Sequence, residues 1–252
     1  MLRLLLATGL LLAASCASTR RTDVPLVVAS DLDNRPFAFV DEQEKPRGRD
    51  VEMMQRIADE LRRRIEWRRM PFAELLPAVE RGEVDVVCAT LGVTPERAQH
   101  VAFSLPYFET HLAVVVRTGP GEPRTLADLS GKRVAAGTGT TSERAVRLRL
   151  PRATGVFENK DQTPALERLT SLSVDAAVMD GPAAAALVEQ SRGALARLAE
   201  TLGTETYALA LPKGRTDALV AINRALQKLE EQGVLRSLDA RHALLARAPS
   251  AP

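Results

Sequence analysis

The residues able to do chemistry sit where apolar runs end. Val84-Asp85-Val86-Val87 reads as a buried strand. Ala89-Thr90-Leu91-Gly92-Val93 leaves it through a glycine-bearing turn, and Thr94-Pro95 supplies an N-cap followed by a first-turn proline. One helical turn then carries Arg97. Backbone donors and a guanidinium therefore meet at the carboxyl end of a strand, where open α/β sheets hold ligands. The planar fork of arginine matches a carboxylate bidentately, which a lysine point charge does not. The same segment would equally make a surface ion pair of Arg97 with Glu96, and by itself it does not choose.

A second such place is Gly137-Thr138-Gly139-Thr140-Thr141-Ser142-Glu143, a glycine-threonine loop opening a helix. Thr140 and Glu143 stand at capping-box spacing. Backbone N–H groups at a helix start can hold an anion, although any capped helix start has this form. No Gly-Lys-Ser/Thr follows, so it is not a P-loop. Two acids lie just past buried strands, Asp31 after Leu26-Val27-Val28-Ala29-Ser30 and Asp180 after Val174-Asp175-Ala176-Ala177-Val178-Met179. Asp85 and Asp175 precede their strands and read as turn acids. His100, His111 and His242 have no mutual spacing for metal or base catalysis. Two cysteines with no histidine nearby give no zinc pattern, so neither metal nor cofactor is expected.

The elements that must position these residues alternate. Up to Val87 the order is βαβαβ, with helices over Val51–Leu61 and Phe72–Glu80, which marks a mostly parallel sheet. Val101–Ser104 and His111–Val116 read as separate strands around an aromatic turn, Pro106-Tyr107-Phe108. Thr118-Gly119-Pro120-Gly121-Glu122-Pro123 is the best linker in the chain. The βα pattern then restarts. Leu195–Ala199 reads as one strand, Glu205–Leu211 as a crossing strand, and helices over Thr216–Gln232 and Val234–Leu245 close the chain. Of 252 residues, 45% are hydrophobic and 26% charged, enough for a sizeable core. A net charge of +2 gives no footprint for nucleic acid, and the Arg62-Arg63-Arg64 cluster, interleaved with acids, reads as a solvated helix end.

The first residues stand apart. Arg3 precedes an apolar run, Leu4–Leu12, too short to span a bilayer, and Ala13-Ala14-Ser15 then lead to Cys16. This is similar to a bacterial lipoprotein signal over 1–15, with Cys16 as the lipidation site and 16–23 as a tether. It points to a periplasmic or cell-surface protein held to the membrane only by a lipid anchor. Cys88, at the end of an apolar strand, then reads as an inert buried thiol.

Taken together, Val28-Ala29-Ser30-Asp31, Pro36-Phe37-Ala38-Phe39, Gly48-Arg49-Asp50-Val51, Leu76-Pro77-Ala78-Val79, Gly82-Glu83-Val84-Asp85, Thr94-Pro95-Glu96-Arg97, Phe103-Ser104-Leu105-Pro106-Tyr107-Phe108, Leu126-Ala127-Asp128-Leu129, Gly139-Thr140-Thr141 and Val174-Asp175-Ala176-Ala177-Val178 carry a resemblance. From about Leu26 to Leu238 the chain resembles the polar amino-acid-binding proteins of ABC importers, the family 3 extracellular solute-binding proteins. The resemblance implies an α/β, two-lobed type II periplasmic binding fold, its lobes joined by two crossover hinge strands. Lobe one would hold 24–117 and 205–245, lobe two 118–204, and 246–252 would be a frayed tail. It also implies a non-catalytic monomer that delivers a free α-amino acid, polar or cationic, to importer permease subunits.

The site carries over by position. Arg97 matches the arginine that takes the ligand α-carboxylate, Thr140 and Thr141 the helix-start donors to it, and Asp180 the acid for the α-ammonium. A zwitterion needs this pairing of donors at one end with an acid at the other. Asp31 matches an acid that reaches the ligand side chain, Phe72 an aromatic wall, and Thr90 and Gly92 the turn that faces the ligand. The sequence departs from the pattern in three ways. Asn34 stands where an aromatic stacks on the ligand, Gly92 offers only backbone where a hydroxyl residue is usual, and Gly137 replaces a longer polar residue. Two alternatives stay open. One is a cleft enzyme similar to cyclohexadienyl dehydratases, with Glu205 near the segment that would supply a general acid. The other is an orphan sensor module.

Overall fold

The computed structural model describes residues 22–158 and 162–244; Cys16 with the rest of the leader, and the tail expected at 246–252, lie outside them. In chain order come β1 Thr22–Ser30, β2 Asp33–Asn34, β3 Ala38–Val40, β4 Pro46–Arg47, α1 Arg49–Glu60, β5 Arg63–Arg69, α2 Phe72–Glu80, β6 Val86–Val87, α3 Pro95–Ala98 and β7 Val101–Arg117. A 3-10 turn at Ala127–Leu129 leads to β8 Arg133–Gly137, α4 Thr141–Arg149, β9 Thr154–Glu158, α5 Gln162–Thr170, β10 Ala176–Asp180, α6 Gly181–Gln190, β11 Leu195–Pro212, α7 Thr216–Glu231 and α8 Val234–Arg241.

One sheet of the described residues runs β5-β1-β6-β11-β7-β10-β8-β9, and β2-β3-β4 form a small second one. The triples β5-β1-β6 and β10-β8-β9 are parallel within themselves, and β7 and β11 lie antiparallel between them. Leu112–Val116 of β7 pair with β10, whereas Ala210 of β11 pairs with Val87 of β6. Each long strand thus starts in one α/β lobe and ends in the other, as the two crossover strands were expected to do.

Three local expectations change. The aromatic turn at Pro106-Tyr107-Phe108 is not a turn: β7 is continuous from Val101 to Arg117. Proline has no N–H to give the ladder, and the register opposite it slips between Tyr207 and Ala208, so a bulge absorbs it. Likewise Leu195–Ala199 and Glu205–Leu211 are one strand, with further register shifts between Arg197 and Thr204. The tether is shorter than expected, because β1 begins at Thr22. Arg63 explains part of this: it donates to the carbonyls of Val24 and Pro25 and pairs with Asp85 at 2.9 Å, so it is a structural contact and not a free charge.

Both faces of the sheet are covered, which is why its strands read as unbroken apolar runs. In lobe one, Val28, Met53, Met54, Ile57 and Leu226 pack on one face; Leu75, Val79, Val87 and Leu91 pack on the other. In lobe two the period of two is explicit in β7, with Leu112, Val114 and Val116 on the α4 side and Ala113 and Val115 with Leu169 and Leu187 on the α5–α6 side. Cys88 is buried in lobe one and burial pushes its thiol well up, as an inert thiol requires. Asp85 and Asp175 are the turn acids expected: they accept from the Val27 and Arg133 amides at 3.1 and 2.8 Å.

The Gly48-Arg49-Asp50 run turns out to be a buried polar knot. A side chain at Gly48 would stand 2.2 Å from the Phe37 carbonyl oxygen, and its φ of 117° suits glycine alone. That close approach lets the Arg49 and Asp50 amides donate to the carbonyls of Pro36 and Phe37 at 3.0 and 2.8 Å. The Arg49 guanidinium, fully buried, then donates to Asp239 at 2.8 Å, Asp50 at 3.2 Å and the Tyr107 carbonyl at 3.1 Å. Tyr107 closes the circuit by donating to Asp50 at 2.7 Å. Helices α1 and α8 are thereby pinned to a crossover strand.

Candidate functional site

The turn after β6 is stitched onto β11. The Val93 amide donates to the Thr206 carbonyl at 2.9 Å and the Ala208 amide to the Leu91 carbonyl at 3.2 Å, around a bridge of Gly92 with Tyr207. Thr94 caps α3 as expected, accepting from the Arg97 amide at 3.2 Å. The Arg97 side chain is held at both ends of its fork. It donates to the Gly92 carbonyl at 2.7 Å and, across the cleft, to the Gly139 carbonyl at 3.0 Å, with its guanidinium carbon 5.7 Å from the centre of the Phe72 ring. The ion pair with Glu96 that the segment alone allowed is not made. Glu96 instead pairs with Arg144 of the other lobe at 2.8 Å.

Thr140 caps α4, accepting from the Glu143 amide at 3.3 Å. The other half of the box shifts by one residue, since Glu143 accepts from the Gly139 amide at 2.7 Å. That bond uses one amide the loop was expected to offer an anion, and the Thr138 amide is also used, by the Glu158 carbonyl at 2.6 Å. Both threonine hydroxyls donate inside the protein, Thr140 to the Gly137 carbonyl at 2.6 Å and Thr141 to Glu205. The loop's remaining donors are the first backbone N–H groups of α4, which have no acceptor within the helix.

Asp180 sits at the N-cap of α6, yet its side chain makes no capping bond. Its carboxylate faces Glu205 and the Tyr207 hydroxyl instead. Glu205 is 7% exposed, and burial, with the Asp180 charge beside it, raises its carboxyl to about 8. Gly92 now has a reason: a Cβ there would lie 2.3 Å from Glu205 Oε1 and 3.0 Å from Thr141 Cγ2. The missing side chain makes room for the carboxyl.

These residues enclose an interlobe cavity of ≈ 100 Å³. By volume it has room for roughly three waters. Of the residues expected to bind ligand, Asn34, Phe72, Thr90, Gly92, Arg97, Thr140, Thr141 and Asp180 line it. Asp31 does not: it is buried at the end of β1, outside the wall. Asn34 stands at the wall, fully buried and donating to Thr90 Oγ1 at 2.7 Å. Thr90 holds a φ of 47°, rare for a β-branched residue and the kind of strain that gathers at binding sites. Glu158 and Arg168, which pair with each other, also line the cavity and were not foreseen. Both sit in stretches whose charges look like any solvated surface. Glu205 was expected only near the segment that would supply a general acid, not at the ligand. Its place in β11 is in phase with the buried Tyr207, Leu209 and Leu211, so strand alternation carried the signal of burial, and Gly92 shows what makes room for the carboxyl. Among the described residues no cluster is suited to hold a metal ion.

A cavity between two α/β lobes on two crossover strands, with a guanidinium on one side and an acid on the other, defines a two-lobed solute-binding protein. The chain belongs to the bacterial extracellular solute-binding proteins, family 3, whose sequence model matches residues 26–244. Among curated relatives, the L-cystine-binding protein TcyJ of Escherichia coli K12 is 29% identical over 205 residues, 81% of this chain and 77% of TcyJ. An ancestral arginine-binding protein bound to arginine superposes with a TM-score of 0.80 at 33% identity, over 86% of this chain and 97% of that one. The ancestral amino acid-binding protein AncCDT-1, a precursor of cyclohexadienyl dehydratase, gives 0.78 at 28% identity, over 86% and 94% of the two chains. All three are binding proteins, and the similarity to the dehydratase lineage is to an amino acid-binding precursor.

Proposed function

We propose that the chain captures a free α-amino acid, polar or cationic, in the interlobe cavity and hands it to the permease subunits of an ABC importer. The observation that carries this is the convergence of Arg97 and Asp180 on one cavity with charges of opposite sign. Arg97 takes the α-carboxylate together with the Thr141 backbone donor at the start of α4, which Thr140 caps, and Asp180 takes the α-ammonium. Phe72 walls the site. Asn34 and Thr90 meet the ligand side chain, Gly92 contributes backbone, and Asp31, outside the wall, adds negative charge that favours a cationic or amide side chain. Relatives that bind L-cystine and arginine support an amino acid as the ligand. The lobes divide inside the crossover strands, before Leu112 in β7 rather than at 117/118, and at 204/205 in β11, and they move as bodies. Cross-cleft contacts such as Arg97 with Gly139 and Arg144 with Glu96 support closure over the ligand.

A thermal-shift panel tests the reading. A ligand at about a hundred times its Kd stabilises by roughly 2.7 kcal/mol. For a chain of this size each kcal/mol raises Tm by about 2–4 °C, so at least one free amino acid gives a rise of several degrees. N-acetylated and amidated forms of that amino acid give none; an equal rise with either refutes the head-group assignment.

The family supports an extracytoplasmic location, and Cys16 is proposed as the lipid anchor because the h-region ends in Ala14-Ser15-Cys16. Cys16→Ser moves the protein from the membrane pellet to the soluble fraction of fractionated cells. A mutant that stays in the pellet removes the anchor from the proposal.

A further inference from the structure

The buried carboxyl of Glu205 has no task in the reading above, and its surroundings give it one. Its neighbours come from every element packed around it. The Thr141 hydroxyl of α4 donates to Oε1, Asp180 approaches from the end of β10, the Arg97 guanidinium from α3, and the Tyr207 hydroxyl from two residues further along β11. Thr110 of β7 lies opposite in the ladder. Gly92 leaves the space that the carboxyl occupies, and Glu205 lines the same cavity as Asp180 and Arg97. Two carboxyls from two different strands therefore face one cavity beside the Arg97 guanidinium; the other guanidinium at the wall, Arg168, is paired with Glu158.

We propose that Glu205 and Asp180 form one two-carboxylate cradle for the ligand ammonium, and that capture of the ammonium releases a proton from Glu205 to solvent. This deepens the amino-acid reading and rests on it. In the empty site, burial and the Asp180 charge keep Glu205 protonated below about pH 8. Like charges packed together in a dry site do not both ionise unless a cation comes between them. An arriving ammonium supplies that cation. The O–H bond of Glu205 breaks, its electron pair stays on the carboxylate, and the proton leaves for the buffer. The charge balances: one carboxylate, one carboxylic acid and one ammonium become two carboxylates, one ammonium and one free proton. Arg97 remains paired with the ligand carboxylate throughout. Asp180 alone already satisfies the charge of the ammonium, so the second carboxylate adds hydrogen-bond acceptors and a dependence on pH. The sign follows from linkage. Binding that requires ionised Glu205 tightens as pH rises toward about 8 and levels off above it.

Calorimetric titration of the full chain decides the matter, with L-arginine, L-glutamine, L-glutamate and L-cystine as probes at pH 7 in phosphate, PIPES and imidazole buffers. For every probe that binds, the observed heat should vary with the protonation heat of the buffer, with a slope near one proton released. Between pH 6 and 7.5 the Kd should fall about tenfold per pH unit. The control is E205Q, whose amide oxygen can still accept from Thr141. It should bind with no proton released and a Kd independent of pH. Saturable binding by the wild type with no buffer dependence overturns the proposal and leaves the amino-acid reading standing. An E205Q variant that still releases a proton also overturns it and assigns the proton to another group. No saturable heat from any of the four probes overturns the amino-acid reading and this inference together.

Discussion

Arg49→Ala lowers the melting temperature by about 6–20 °C, from roughly 3–5 kcal/mol lost when one partner of a buried ion pair is removed and about 2–4 °C per kcal/mol in a chain of this size. Arg49 is fully buried and touches no part of the cavity, so the loss is one of fold and not of recognition. Without it Asp50 keeps only the Tyr107 hydroxyl, and Asp239 of α8 loses its bond to α1. Burial already raises the Asp50 carboxyl, and Arg49 is the main force pulling it back down. A carboxyl whose folded pKa lies above its unfolded value supports the fold below the unfolded value and ceases to as pH rises through the folded one. Removing Arg49 raises that folded pKa further. The deficit of the mutant is therefore greatest at neutral pH and shrinks toward pH 4. Chemical denaturation checks this through the midpoint at constant slope. The double variant Arg49→Met/Asp50→Asn removes both charges and recovers part of the loss. A melting point for Arg49→Ala within 2 °C of wild type would falsify the account of the knot.

That knot also marks how far the sequence could be read. Helices α1 and α2 are legible because Met54, Ile57, Ala58, Leu75 and Val79 recur at helical spacing, a signal contained within each segment. Thr94 and Thr140 announce their helix starts for the same local reason. The continuity of β7 and β11 is not local. Pro106 and the stretch between Ala199 and Glu205 read as breaks, and only the pairing of each strand with the other, sequence neighbours by no measure, carries the ladder through them. The site divides in the same way. Arg97 and Asp180 follow strands that end visibly, so their convergence could be expected. Glu205 becomes a site residue only because Gly92, more than a hundred positions away, leaves it room. Asp31 and Asn34 lie three residues apart, and which of them reaches the wall depends on the course of the chain between β1 and β2, where Leu32 takes a left-handed φ of 51°. No periodicity reports that.

Arg97→Ala weakens amino-acid binding by about 30- to 4,000-fold. This corresponds to roughly 2–5 kcal/mol for truncating one side of a buried charge pair, at about 1.4 kcal/mol per tenfold. Two losses combine. The ligand carboxylate loses its bidentate partner and enters a site where Asp180 is left without the neighbouring Arg97 charge, so it meets repulsion where it had a partner. The contacts of Arg97 with the Gly92 and Gly139 carbonyls also go, and the second of these spans the cleft, so the closed arrangement loses one of its own supports. Arg97→Lys separates the two. A lysine restores positive charge but cannot donate to Gly92, Gly139 and a carboxylate in the fixed geometry of one planar fork. Its affinity therefore falls between wild type and Arg97→Ala for every amino acid that binds. The half-exposed Arg97 is not a core residue, so the ligand-free melting temperatures of both variants stay within a few degrees of wild type. Small-angle scattering adds the conformational half of the test. Saturating amino acid compacts the wild type, because a ligand gripped from both lobes favours the closed state by its differential affinity for it, whereas Arg97→Ala at the same concentration keeps its ligand-free radius of gyration. An Arg97→Ala protein that binds within threefold of wild type and still compacts would assign the carboxylate to the α4 backbone donors alone and take Arg97 out of the head-group site.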